Sequence, residues 1–445
     1  MKVLFLEIDT VRDWAVASIG PAFLSATLKR AGHTAEMLRV SPEEALTDVV
    51  TAVTEVAPDV IGVSMTSRQW LRGREVLGAI RAELKVPVIA GGLHPTFAPE
   101  AVLQTPGFDV VCLGEGEGAM LDYVEHVSRG GDPYRADIEN LWFEGQMRPK
   151  LRPPFDPIDR LPWMDRSLLD ERWGVRHMTT QRGCPFPCTY CAARKFDDLY
   201  VGVGTYGRRR TVQSVIDELL AVKRDEDLSF VIFLDDTFTI HHSWVNAFCD
   251  RFKAEVGVGF SLHARVETVN QKMLARLAEA GCVHITYGVE SGSERVRRDI
   301  MKRKVSNDRI VDVFRWTQEL GIVATANYML GVPGETWDDI QETLMLHERL
   351  KPDDFGYFVF YPYPGTTLFQ VCKSQGLLPD DYLEHPANHR ASILDLPDLS
   401  ADQIAAAYDL FTAARRKLMQ ARHAGLSDAE RAQIDAHIDH IAATG

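Results

Sequence analysis

The chain has 445 residues, 45% hydrophobic and 25% charged, which is ordinary globular usage and enough length for two or three domains with their own cores. A formal net charge of -14 argues against a broad nucleic-acid or anionic-membrane surface, because both need clustered Lys and Arg. No apolar run approaches the roughly 20 residues of a membrane span, and residues 3–8 are too short for a signal-peptide core, so a cytoplasmic protein is expected.

Residues 3–8 form a continuous apolar run, as a strand buried on both faces of a parallel sheet requires. An amphipathic helix over 21–30 closes at Gly32, the residue type of a left-handed cap. A helix over 42–56 leads to a strand over 60–64, a helix over 71–84 to a strand over 86–90, and a last strand spans 110–113. This alternation predicts an α/β, doubly wound (Rossmann-like) domain over residues 1–130. Ligands of such sheets sit at the carboxyl ends of the strands. The candidate loops are Ser64-Met65-Thr66-Ser67-Arg68-Gln69-Trp70, Gly91-Gly92-Leu93-His94-Pro95-Thr96 and Gly114-Glu115-Gly116-Glu117-Gly118. Glycine there lets backbone approach a ligand and opens the next helix's amino end to phosphate.

Residues 131–175 read as a connector, since Pro133, Pro149, Pro153, Pro154, Pro157 and Pro162 interrupt any helix or central strand. A second series follows. A strand over 177–180 precedes a helix over 212–223 with Thr211 as N-cap. A strand over 230–234 ends in Asp235-Asp236, and a helix over 243–255 leads to a strand over 260–265 ending at Arg265. A helix over 271–280, capped by Gly281, leads to a strand over 284–290. Helical patterns flank Ser306. Strands over 323–330 and 355–360 end in Gly331-Val332-Pro333-Gly334 and Tyr361-Pro362-Tyr363-Pro364-Gly365. Six strand–helix repeats predict a partial (β/α)6 barrel over 176–370 whose active face is the strands' carboxyl end. Residues 371–445 lose the strand pattern; helices over 401–421, begun by Ser400, and 427–442 are expected to pack over the barrel or another copy, with a substrate-contacting cap as the alternative.

Between these series stands Gln181-Arg182-Gly183-Cys184-Pro185-Phe186-Pro187-Cys188-Thr189-Tyr190-Cys191, a C-x3-C-x2-C loop turned sharply by Gly183, Pro185 and Pro187. Seven cysteines in a reducing compartment favour ligation over disulfides, and Cys112, Cys249, Cys282 and Cys372 read as core residues. Soft thiolates suit zinc or an iron–sulfur cluster. A structural zinc site wants four ligands and no fourth cysteine lies nearby, whereas Cys184, Cys188 and Cys191 as ligands would leave one iron of a 4Fe-4S cluster open. A zinc knuckle and unrelated buried thiols remain the alternatives.

With Tyr190 in the aromatic place, C-x3-C-x-aromatic-C resembles the cluster loop of the radical S-adenosyl-L-methionine (SAM) enzymes. The resemblance implies that the open iron chelates SAM, whose reductive cleavage yields a 5′-deoxyadenosyl radical. It further implies Asp235 and Asp236 as acceptors for the SAM ammonium group and Arg265 as partner of its carboxylate. Glu290-Ser291-Gly292 would lie near the ribose and amino acid moiety, and Gly331 and Pro333 beside the adenine. Because the Gly-Gly-x-His-Pro-Thr and Gly-Glu-Gly-Glu loops precede the cysteine triplet, residues 1–370 are similar to the cobalamin-binding radical SAM proteins. The DxHxxG motif that supplies a histidine to cobalt in the wider family is absent. His94 is therefore expected to position backbone, and Arg68, Gln69 and Trp70 to neighbour the lower face of cobalamin.

The function implied is methylation of an unactivated carbon of a small-molecule, natural-product or peptide substrate. It would use SAM, the 4Fe-4S cluster and methylcobalamin, with a flavodoxin- or ferredoxin-type electron donor. Cyclisation or rearrangement without methyl transfer is the runner-up, and a non-catalytic corrinoid carrier or regulator the reading of another class.

Overall fold

The computed structural model describes residues 1–9 and 18–422, so the helix expected over 427–442 lies outside the described residues. The chain forms two compact units. Met1–Glu171, Lys195–Arg208 and Tyr363–Gly365 make one; Arg172–Arg194, Arg209–Pro362 and the chain from Thr366 onward make the other. Among the described residues no helix is long and apolar enough to cross a membrane.

The first unit runs β1 (Lys2–Ile8), α1 (Ile19–Arg30), β2 (Thr34–Val40), α2 (Leu46–Val56), β3 (Val60–Ser64), α3 (Trp70–Glu83) and β4 (Val88–Gly91). Two short helices, α4 (Leu93–Phe97) and α5 (Pro99–Leu103), precede β5 (Val110–Cys112), α6 (Glu117–Ser128) and β6 (Leu141–Phe143). The sheet order is β2-β1-β3-β4-β5-β6, parallel except for β6. β1 lies inside it and is apolar from Val3 to Leu6 because it feeds two cores: Val3 and Phe5 pack with Met120 and Tyr123, while Leu4, Leu6 and Ile8 pack with Val63 and Val76. This is a doubly wound order whose crevice opens at the carboxyl ends of β1 and β3, where the winding reverses. α1 ends as its sequence predicts: Gly32 has φ +88°, and the N–H groups of Gly32 and His33 donate to the carbonyls of Lys29 and Leu28.

One strand, β2, was not expected, and two expectations need correction. β2 carries no apolar run, because it is an edge strand with Thr34 and Glu36 exposed. α2 starts at Leu46 and not at 42, since Ser41 donates through its N–H and hydroxyl to Glu44 and closes a turn there. The proline-rich stretch is no free connector: β6 pairs antiparallel with β5 at the sheet edge, where prolines nearby are tolerated, and the first unit extends to Glu171.

The second series begins with β7 (Val175–Met178), β8 (Gln181–Arg182), α7 (Ala192–Leu199) and β9 (Arg208–Arg209), β8 and β9 forming a small ribbon. It continues with α8 (Val212–Asp225), β10 (Phe230–Phe233), α9 (His242–Arg251), β11 (Gly259–Ala264), α10 (Gln271–Ala280) and β12 (Cys282–Glu290). Then come α11 (Asn307–Glu319), β13 (Val323–Leu330), α12 (Trp337–Leu350), β14 (Asp354–Val359), α13 (Thr367–Ser374) and α14 (Ala401–Arg422). Six parallel strands stand in the order β7-β10-β11-β12-β13-β14, the partial barrel that the six repeats predict.

Alternation along the strands separates two faces. Phe233, Phe260, Tyr287 and Tyr328 are buried towards the helices, Phe233 against Phe248 and Tyr287 against Phe314. α14, whose start Ser400 caps by accepting the Gln403 N–H, packs over β13 and β14: Phe411 sits 5.2 Å from the Tyr328 ring and 5.7 Å from that of Tyr357. The opposite, concave face carries His263, His284, Thr286, Gly288, Thr325, Asn327 and Gly356, none of them fully buried. A closed barrel fills this space with branched apolar side chains. Here it is polar, with His284 Nε2 2.7 Å from Thr325 Oγ1, and a Cβ at Gly356 would stand 2.7 Å from Asn327 Oδ1.

Candidate active site

The cysteine loop leaves β8 through Gly183, which has φ +83°. Cys184 and Cys188 are buried and Cys191 is half-buried. Thr189 pins the loop: its hydroxyl donates to the Ile300 carbonyl (2.7 Å) and its carbonyl accepts the Leu368 N–H (2.9 Å). Cys184 Sγ lies 3.7 Å from Thr237 Oγ1, and Cys188 Sγ accepts a hydrogen bond from Arg265 Nη1 (2.9 Å). Burial pushes the Cys184 thiol up and that of Cys191 to about 12, with Asp236 adding to both. Burial of this kind disfavours a free thiolate, and a cationic centre would take the three sulfurs as thiolate ligands.

Behind the loop stands a ladder of alternating charge. Arg265 Nη2 donates to Glu267 Oε1 (2.6 Å), Arg303 Nη2 to Glu267 Oε2 (3.1 Å) and Arg303 Nη1 to Glu290 Oε1 (3.2 Å), which also accepts the Tyr190 hydroxyl (3.1 Å). Burial alone would raise Glu267, yet Arg303 and Arg265 hold it below the usual carboxylate range. Glu290 sits at a bulge with φ +68°, a strained conformation for a non-glycine residue, which its partners maintain. A Cβ at Gly288 would stand 2.3 Å from the Glu290 carboxylate, so that glycine makes room for the ladder. Sequence reasoning missed Glu267 and Arg303. Arg303 stands between two lysines yet is 2% exposed; the signals available were Glu267 two residues beyond Arg265 and the glycine inside β12.

The structure thus brings Cys184, Cys188, Cys191, Tyr190, Arg265 and Glu290 together. Asp235 is separated from them in role. Its carboxylate accepts the Thr180 N–H (2.7 Å) and hydroxyl and the Gln181 N–H (3.1 Å), bracing the chain after β7, and burial raises its pKa. Asp236 is the exposed member of the pair, with its charge felt at Cys184 and Cys191. Ser291 is also structural: it is fully buried, and Gly292 packs so closely on α12 that a Cβ would stand 2.3 Å from the Glu342 carbonyl. Gly331 and Val332 donate their N–H groups to Glu335 (2.6 and 3.3 Å), a buried carboxyl that fixes the loop containing Pro333.

In the first unit several expected contacts turn inward. Met65 is buried against Gly73, and Trp70, 3% exposed, stacks on His94 (4.7 Å) and Phe108 (5.8 Å), so neither side chain is available at the strand ends. His94 is buried with Nδ1 2.9 Å from Ser67 Oγ, and burial lowers its pKa to about 4. Gln69 accepts the Thr66 N–H (2.7 Å) and hydroxyl and donates to the Ile8 carbonyl (2.9 Å), joining the ends of β3 and β1.

Glu115 forms a buried ion pair with Arg208, its N–H donates to the Tyr200 hydroxyl (2.8 Å), and a Cβ at Gly114 would collide with that hydroxyl. These contacts bind residues 195–208 to the end of β5, and Glu115 is a structural anchor in place of a ligand contact. Glu117 is buried in the first turn of α6, begun at Gly116. Ser64, Arg68, Gly91 and Gly92 stay half-buried at the ends of β3 and β4. Gly92 has φ +91°, and a Cβ there would stand 2.8 Å from the Met65 carbonyl, so glycine lets the two loops meet as one floor.

The sequence model of the B12 binding domain matches residues 13–124, and that of the Radical SAM superfamily matches residues 178–347. The chain is a cobalamin-binding radical SAM enzyme. It is 27% identical over 375 residues to an uncharacterized methyltransferase of Pyrococcus horikoshii, covering 81% of this chain and 79% of the relative. It is 25% identical over 398 residues to the anaerobic magnesium-protoporphyrin IX monomethyl ester cyclase of Rubrivivax gelatinosus, covering 83% and 70%. Its fold is shared with the radical SAM methyltransferase TsrM from Kitasatospora setae at TM-score 0.71 and 17% identity, over 91% of this chain and 84% of that one.

The cofactors of this radical SAM enzyme are the 4Fe-4S cluster, SAM and cobalamin. Its residues fit them. Three soft donors in one pinned loop, with a guanidinium N–H on one sulfur, suit a cluster, and the glycine floor with Ser64 and Arg68 at the winding reversal suits a flat macrocycle with an amide-bearing rim.

Proposed function

We propose that this enzyme methylates an unactivated carbon of a small polar molecule. SAM on the cluster supplies a 5′-deoxyadenosyl radical, and cobalamin supplies the methyl group. Cys184, Cys188 and Cys191 hold the cluster, and Asp236, Arg265, Glu290 and the Gly331–Pro333 backbone hold SAM. Ser64, Thr66, Arg68 and the backbone of Gly91 and Gly92 hold the corrinoid. The observation that carries the reading is the polar concave face of the barrel. Arg265 directly after β11 and Glu290 at the end of β12 stand at the cysteine loop, and the two strands carry His263, Thr286 and His284 further down the same face. His263 is exposed on that face and His284 half-buried, so both rings are placed for hydrogen bonds to a bound molecule. A substrate anchored there by hydrogen bonds would present a carbon to the radical with little orientational freedom left.

Methyl transfer is favoured by the match to the P. horikoshii methyltransferase across both domains. Cyclisation or rearrangement is the second reading, favoured by the comparable match to the R. gelatinosus cyclase. The test is anaerobic incubation with methyl-labelled SAM, titanium citrate, cobalamin and candidate polar metabolites, with an electron donor of flavodoxin or ferredoxin type in parallel. Mass spectrometry should find the label on a carbon of one metabolite. Conversion of a metabolite without label would leave the second reading.

A further inference from the structure

We propose that Arg265 sets the reduction potential of the cluster, through its hydrogen bond to Cys188 and the charge balance of the ladder behind it. A donor on a ligand sulfur stabilises the form that carries the extra electron, and net charge beside a cluster moves its potential in the same sense. Arg265 is placed to do both. Its Nη1 donates to Cys188 Sγ at 2.9 Å, its Nη2 to Glu267 at 2.6 Å, and its guanidinium lies 4.0 Å above the Phe186 ring. It is 9% exposed, so water screens its charge poorly.

The ladder behind it joins two guanidinium groups, Arg265 and Arg303, to two carboxylates, Glu267 and Glu290, which as charged groups sum to zero. Removing one charge therefore exposes its opposite. Loss of Arg265 leaves one net negative charge beside Cys188 and disfavours the reduced cluster. Loss of the Glu267 charge leaves one net positive charge, with Arg303 still paired to Glu290, and favours it. The Nε of Arg265 has no partner among the described residues, so the same side chain retains a donor for the SAM carboxylate. The two roles separate because the potential is measured without SAM.

The experiment is an anaerobic redox titration of the cluster- and cobalamin-loaded full chain, reading the reduced-cluster electron paramagnetic resonance signal. Arg265→Gln should lower the ratio of reduced to oxidised cluster about tenfold at a fixed ambient potential, a fall of about 59 mV for one electron. Arg265→Lys, which keeps the charge, should recover most of the loss. Glu267→Gln should shift the ratio the other way. Shifts of the same sign in the two Gln variants, or no shift in Arg265→Gln at unchanged iron content, would overturn the proposal. If Arg265→Gln fails to hold iron, Glu267→Gln alone decides: a raised potential supports the proposal, and an unchanged or lowered one rejects it.

Discussion

Glu335 and His94 are two buried titratable groups placed in loops that the sequence marks as ligand loops, and both are spent on backbone or core. Burial raises the Glu335 carboxyl to about 8 against the two N–H groups it accepts from Gly331 and Val332. Its folded pKa lies above the unfolded value near 4.5, so its contribution to stability is whole below that value and is lost as the pH rises through about 8. In that window one extra proton is bound by the folded state, a slope of at most about 1.4 kcal/mol per pH unit. Glu335→Gln keeps the acceptor and removes the proton. Urea unfolding across the window should show the wild type losing stability relative to Glu335→Gln; parallel profiles would contradict the assignment.

His94 has the opposite sign and stays neutral at physiological pH, with its ring stacked on Trp70. Ligation of cobalt would require it to leave the core. Electron paramagnetic resonance of the cob(II)alamin form should therefore be the same in wild type and His94→Gln, whereas nitrogen coupling that vanished in the variant would reinstate His94 as a ligand.

At the scale of elements, central strands were the legible part. β1 and β3 announce themselves by apolar content and β13 by alternation, and the reading of β3 and β13 agrees with the structure to the residue. β2 and β6 were missed because edge strands need neither face fully apolar and three residues give no period. The loop residues were misread for a related reason. Sequence shows that Glu115 ends a strand, but only the fold shows that Arg208, 93 positions later, claims its carboxylate. Truncating one partner of a buried ion pair strands the other charge, typically at about 3–5 kcal/mol. Glu115→Ala should accordingly destabilise the first unit by that order in urea unfolding and weaken cobalamin retention only as a consequence. Normal stability with lost cobalamin would restore Glu115 to the ligand site.

At the scale of the whole molecule, the order of an α/β domain, a cysteine triplet and a six-strand barrel was readable, because each depends on local pattern. The ladder through Glu267 and Arg303 was not, since its members converge from three separate strand ends and loops. The concave face was visible only as alternation: buried residues of β12 and β13 announce the helix side, and their polar neighbours gain meaning once the sheet curves. The same alternation argues for a polar substrate, and the central claim is that a methyl group is delivered to one of its carbons. The most direct measurement is the stoichiometry of SAM products when that substrate is converted. Methyl transfer consumes two SAM per turnover, so 5′-deoxyadenosine and S-adenosylhomocysteine should form in nearly equal amounts beside a product heavier by one methylene. Conversion that yields 5′-deoxyadenosine without S-adenosylhomocysteine would contradict it.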